Sequence, residues 1–111
     1  MPPFDIVHYR LLKIISDQSV NTQRELAREL GISLGKLNYC LKALMEKGWV
    51  KVRRFYNNPN KHGYAYLLTP SGIEGKAHMA AHFLGKKMKE YEALQNEIAE
   101  LQEDCLESGK L

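Results

Sequence analysis

The chain has 111 residues, enough for one small domain and little more, and a formal net charge of +3. Two cysteines cannot build a disulfide framework, no apolar run approaches the ~20 residues that span a bilayer, and MPPFDIVHYR lacks the basic-then-apolar order of a secretory signal, so the expectation is a cytoplasmic protein with no membrane partner. Residues 1–89 hold 15 of the 16 Lys and Arg against 6 Asp and Glu, whereas residues 90–111 hold one Lys against seven acids. A body of +9 followed by a tail of −6 points to a polyanion partner for the body alone.

In chain order, Pro2 and Pro3 suit a helix start, with Asp5 in the first turn, where the helix dipole favours an acid. Phe4, Val7, Leu11, Ile14 and Ile15 share one face of a helix from about Phe4 to Ser16, and SDQSVN is its exit loop.

Thr22 to Trp49 is the stretch around which the rest is organised. Thr22 and Glu25 are spaced as a capping box. Leu26, Ala27 and Leu30 give an apolar face, and Gly31 stands where a helix closes in a left-handed turn. Ile32 packs into that turn, Ser33 caps a second helix, Leu37, Cys40, Leu41 and Leu44 form its buried stripe, and Gly48 stops it. Ala27 is small where the two helices cross. This spacing predicts a helix-turn-helix whose second helix fits a DNA major groove, with an ordinary helical hairpin as the alternative.

WVKVRRF is β-prone, NNPNKHG consists of turn residues, and YAYLLT is β-prone again, so a hairpin is expected. Directly after a helix-turn-helix, such a hairpin is the wing of a winged helix. Thr69-Pro70 opens the last helix, with Ser71 and Glu74 as a competing capping box. From there Ile73, Ala77, Ala80, Leu84, Tyr91, Leu94, Ile98, Leu101 and Cys105 keep heptad spacing, broken only at Lys87. Gly75 and Gly85 each cost about 1 kcal/mol relative to Ala in a helix interior, and Gly85 is a candidate bend. LESGKL is expected to fray. The fold class is thus mainly α with a small β-hairpin wing. It comprises a winged helix-turn-helix DNA-binding domain (1–72) and a C-terminal dimerisation coiled coil (73–111). The dimerisation residues are Leu84, Tyr91, Leu94, Ile98, Leu101 and Cys105.

The residues suited to DNA follow from the faces. With the apolar stripe inward, Gly35, Lys36, Asn38, Tyr39 and Lys42 point outward, beside the cap Ser33. Asn can donate and accept toward adenine, Lys can donate to guanine, and Gly35 permits close backbone approach. Tyr39 suits a phosphate or a thymine methyl. Thr22, Gln23, Arg24 and Arg28, at the start of the first motif helix, suit backbone contacts that fix register. Arg53, Arg54, Lys61 and His62 belong to the wing, although an exposed charged edge that blocks sheet pairing explains Arg53 and Arg54 nearly as well.

His78 and His82 have metal-ligand spacing, but two ligands do not make a zinc site, and a surface or packing role is favoured. No metal and no cofactor is expected. Cys40 reads as a buried small hydrophobe and Cys105 as a reduced thiol. No phosphate loop, carboxylate pair or nucleophile–base spacing appears, so an enzyme is not expected.

ELARELGISLGKLNYCLKALMEKGWV resembles the helix-turn-helix of MarR-type winged-helix regulators. With GYAYLLTPSGIEGKA and the tail, the chain is more closely similar to the bacterial MarR-family EPS-associated transcriptional regulators, over nearly its whole length. The resemblance implies a homodimer that regulates transcription by binding a (pseudo)palindromic stretch of double-stranded DNA. It also implies, through the subgroup's name, a link to exopolysaccharide genes. The chain departs from the broader pattern at Tyr39, where many members have Arg, and in NNPNKHGYA, which lacks an Asp-x-Arg signature. Its single C-terminal helix puts the ligand pocket of many members in doubt and leaves the small-molecule effector unknown. The alternative function is a winged-helix protein–protein adaptor with a coiled-coil tail, and a third reading is a metal-responsive regulator using His78 and His82.

Overall fold

A computed structural model describes residues 4–17, 22–54 and 64–110. The elements, in order, are α1 (Ile6–Asp17), α2 (Gln23–Leu30), α3 (Leu34–Lys47), β1 (Val50–Arg54), β2 (Tyr64–Leu68) and α4 (Pro70–Glu107). The chain separates into two compact units, residues 1–80 and residues 81–111, and α4 contributes to both.

In the first unit, α1 begins two residues later than the apolar pattern suggests, because Asp5 is its cap and not a first-turn acid. The Asp5 carboxylate accepts from the backbone N–H of Val7 (3.0 Å) and of His8 (3.2 Å). The buried face also differs from the expected one. His8, Leu11, Leu12 and Ile15 are buried, whereas Val7 and Ile14 are half-buried. His8 can occupy the interior because Phe4 covers its ring at 4.7 Å and Asp5 Oδ1 lies 2.9 Å from its Nδ1. The helix runs to Asp17, one residue past the Ser16 end that the spacing predicts.

α2 starts on the expected capping box. Thr22 Oγ1 accepts from Glu25 N–H at 3.1 Å, and Thr22 N–H donates to Glu25 Oε2 at 3.4 Å. It ends at Gly31, whose φ of 67° is the left-handed conformation anticipated for that position. Ser33 then caps α3 by accepting from Lys36 N–H at 3.1 Å, and Gly48 (φ 83°) closes it. Leu37, Cys40, Leu41 and Leu44 all face inward. Together with Leu11, Leu12, Leu26 and Met79 they form the core. Each fully buried side chain of this size contributes about 1.5–3 kcal/mol.

β1 and β2 pair antiparallel, with Val50 opposite Leu68 and Val52 opposite Tyr66. Trp49 precedes the strand instead of opening it, since its N–H still donates to Leu44 of the α3 terminus. Val50 and Tyr66 are buried, while Val52 is exposed. Phe55 and the expected hairpin loop lie outside the described residues. Three helices followed by this hairpin make a winged helix fold, as the pattern predicts.

Of the two candidate caps of α4, Thr69 does the work. Its hydroxyl accepts from Gly72 N–H at 3.0 Å and donates to the Gly48 carbonyl. Gly72, Gly75 and Met79 form the buried face of this first part of α4. A Cβ on Gly75 would lie 2.5 Å from the Trp49 ring, so the helix cost assigned to that glycine is offset by a close approach that only glycine permits.

The second unit is the remainder of α4 and its end. The helix is continuous through Gly85. Gly109 (φ 67°) closes the C-terminus, with Lys110 N–H donating to Cys105 O at 2.9 Å, so the end expected to fray is capped. Leu84, Tyr91, Leu94, Ile98 and Leu101 are all exposed, and Cys105 is half-buried.

Candidate nucleic-acid interface

α3 presents the outward face that its stripe predicts. Gly35, Lys36, Asn38, Tyr39 and Lys42 are all exposed, as is the cap Ser33. Tyr39 is 75% exposed, which marks it as a surface residue and not a core aromatic. The turn geometry produces this display. The Ser33 cap and the left-handed Gly31 set the start of α3, and the inward Leu37 and Cys40 then leave positions 35, 36, 38 and 39 with no interior to fill.

α2 adds Arg24 and Arg28, both exposed, and Thr22, whose hydroxyl is committed as an acceptor to the cap. Gln23 is half-buried, and its amide donates to the Tyr66 hydroxyl at 3.4 Å, which ties the start of α2 to the wing strand β2. Arg53 is exposed on β1 and the Arg54 backbone pairs with Tyr64. The Arg54 side chain, Lys61 and His62 lie outside the described residues.

Gln23, Asn38 and Lys42 also border a groove of about 500 Å³ between α2 and α3, together with Leu41, Met45 and Glu46. Met45 and Glu46 are not among the residues that the sequence pattern names. Met45 lies seven residues after Asn38 and three after Lys42, so extending the outward face by one turn finds it. Tyr66 was visible only as a member of a β-prone run, and its bond to Gln23 spans 43 positions of sequence.

Cys40 is buried, and that burial pushes its thiol pKa up. The Asp5 charge adds to the rise, while Lys36 opposes it. A protonated, enclosed thiol is a packing group. His78 lies 3.8 Å from Glu74, and the His82 ring meets Phe83 edge-on at 5.2 Å. Among the described residues no three His, Cys, Asp or Glu are grouped to hold a metal ion. No described helix is long and apolar enough to cross a membrane.

Residues 4–51 match the family of winged helix-turn-helix DNA-binding domains. The HTH-type transcriptional regulator LrpA of Pyrococcus horikoshii is 33% identical over 82 residues, which cover 74% of this chain and 57% of that protein. Among solved structures, the zinc-responsive MarR family member ZitR of Lactococcus lactis aligns with a TM-score of 0.63 at 25% identity, over 84% of this chain and 62% of its own. Wild-type apo MarR from E. coli aligns with a TM-score of 0.59 at 28% identity, over 68% of this chain and 55% of its own. The chain thus spans less than two thirds of the length of each of these three proteins. Fold, motif geometry and these likenesses agree on a winged helix fold whose residues 4–51 are similar to winged helix-turn-helix DNA-binding domains, with MarR-family structures among its neighbours.

Proposed function

We propose that the protein is a transcriptional regulator that binds double-stranded DNA as a homodimer. One observation carries the reading: the second helix of the motif exposes Gly35, Lys36, Asn38, Tyr39 and Lys42 along one face while burying everything opposite. A major groove admits one helix, and its base edges are reached from that helix's N-terminal half. Lys36 donates to guanine, Asn38 makes paired hydrogen bonds to adenine, and Lys42 reaches a phosphate. Arg24 and Arg28 hold the backbone, as do Ser33 and Thr22 beside the helix starts. The wing cation Arg53 meets an adjacent phosphate, with Arg54, Lys61 and His62 as further wing contacts. The division into a DNA-binding part (1–72) and a dimerisation part (73–111) belongs to this reading. So does control of exopolysaccharide-associated genes, which rests on the resemblance of GYAYLLTPSGIEGKA and its flanks to the EPS-associated subgroup.

Selection of bound sequences from a random duplex pool tests this reading. A palindromic consensus is the expected result, since a two-fold dimer imposes its symmetry on the half-sites. Recovery of no enriched sequence at low salt would contradict it and favour the adaptor alternative.

A further inference from the structure

The outermost line of α3 carries an aromatic ring beside a notch. Gly35, Tyr39, Lys42 and Glu46 follow one another at steps of four, three and four residues, all exposed, on the side of the helix farthest from the buried Leu37, Cys40, Leu41 and Leu44. Gly35 and Tyr39 stand in the N-terminal half of that line, with Lys36 on one flank and Asn38 on the other. Tyr39 is 75% exposed, so the fold leaves most of its ring in water. Among the described residues, nothing stands within 4 Å of the Cβ that Gly35 lacks, and its backbone is not left-handed. Neither a turn, as at Gly31, nor a packed neighbour, as at Gly72, asks for glycine at this position.

A side chain on a helix leans toward the N-terminal turn, over the residue four positions back. The Tyr39 ring thus leans toward the place where Gly35 has no side chain. The result is a small notch with the Gly35 main chain as its floor and the aromatic ring as one wall. Carbon atoms make their best contacts at about 3.5–4.0 Å, so the open space takes a methyl group in contact with both surfaces. In a major groove, the outermost line of the inserted helix faces the base edges, whereas the phosphates line the rims. The apolar group that a base edge presents there is the C5-methyl of thymine. Cytosine presents a bare C5–H at the same position of its ring, and methylation at C5 makes the two alike there.

We propose that Gly35 and Tyr39 form a pocket for the C5-methyl group of a pyrimidine. The pocket favours thymine at one position of each half-site, and 5-methylcytosine satisfies it where cytosine does not. This rests on the DNA reading above and adds to it a base preference and a sensitivity to cytosine methylation.

The test is fluorescence anisotropy of the full chain with the duplex recovered by selection, each thymine of one half-site replaced in turn by deoxyuridine, which removes only the methyl group. At one position the wild type is expected to lose about fourfold in affinity, the effect of one buried methyl. With cytosine placed at that position, methylation at C5 should restore about fourfold. Tyr39→Phe keeps the ring and should keep the uracil penalty. Tyr39→Ala removes the wall and Gly35→Ala fills the notch, so each should abolish it. Gly35→Ala also keeps the fold intact, because its Cβ meets open space and alanine favours the helix. A uracil penalty that persists in Tyr39→Ala, or no thymine at which uracil matters, overturns the pocket alone. So does an equal loss of affinity for selected and scrambled duplexes in Tyr39→Phe, since the hydroxyl then holds a phosphate. Recovery of no enriched duplex overturns the DNA reading itself, and the pocket with it.

Discussion

Gly72 lies against the main chain of Trp49 so closely that a Cβ on it would stand 2.0 Å from the Trp49 carbonyl oxygen. That oxygen already accepts from Thr69 N–H at 3.0 Å, so it is held in place and cannot retreat. Gly72→Ala is therefore expected to destabilise the protein by about 1–3 kcal/mol, the range of overpacked sites. Gly85 sits in the same helix with nothing within 4 Å of its missing Cβ. Gly85→Ala should stabilise by about 0.5–1 kcal/mol. Urea unfolding of both variants checks the contrast, and shifts of the same sign would contradict the Trp49 contact.

Asp5 gives the fold a dependence on acid. Burial is the largest single influence and raises its pKa, but the hydrogen bond from the His8 ring, the His8 and Val7 backbone N–H groups and the electrostatic attraction of His8 together exceed it, and the net pKa lies below the usual carboxylate value. A depressed folded pKa means the unfolded chain takes up the proton first as the pH falls. The stabilisation is present above the unfolded pKa and is lost as the pH falls through the folded one. Asp5→Asn keeps a capping side chain but removes the charge. The stability gap between wild type and variant should be open at pH 7 and close on titration toward pH 2. A gap independent of pH would show that the charge of Asp5 is irrelevant.

The capping box at Thr22 should also be measurable. Thr22→Ala loses the bond from Glu25 N–H and is expected to cost about 1 kcal/mol. Glu25→Ala, which loses only the longer reciprocal bond at 3.4 Å, should cost less. Thermal unfolding of the two variants ranks them, and the reverse order would place the main cap elsewhere.

These sites also show what can be read from the residues alone. The Thr22 box, the left-handed Gly31, the Ser33 cap and the inward stripe of α3 are local, fixed by neighbours within four positions, and all four are found where the spacing puts them. The exposed set on α3 follows from the same periodicity. His8 is different: a polar residue enters the core only because Phe4 and Asp5 satisfy it, and no apolar count registers that. Gly72 and Gly75 are different again. In a helix a glycine registers as a cost, and its benefit appears only when Trp49, more than 20 positions earlier in the sequence, comes into contact. The Gln23–Tyr66 bond has the same character.

The central claim is that the outward face of α3 reads sequence while α2 only holds the backbone. Fluorescence anisotropy with the selected duplex and a scrambled one, across several salt concentrations, tests it most directly. Asn38→Ala removes a base contact, so it should weaken the selected duplex by about 1–3 kcal/mol per half-site and relax preference at one position. Arg24→Ala removes a phosphate contact, so it should weaken both duplexes about equally. It should also lower the log–log salt slope by about 0.9, or roughly twice that for both copies of a dimer. If Asn38→Ala weakens both duplexes alike while Arg24→Ala alters base preference, α3 is not the recognition helix.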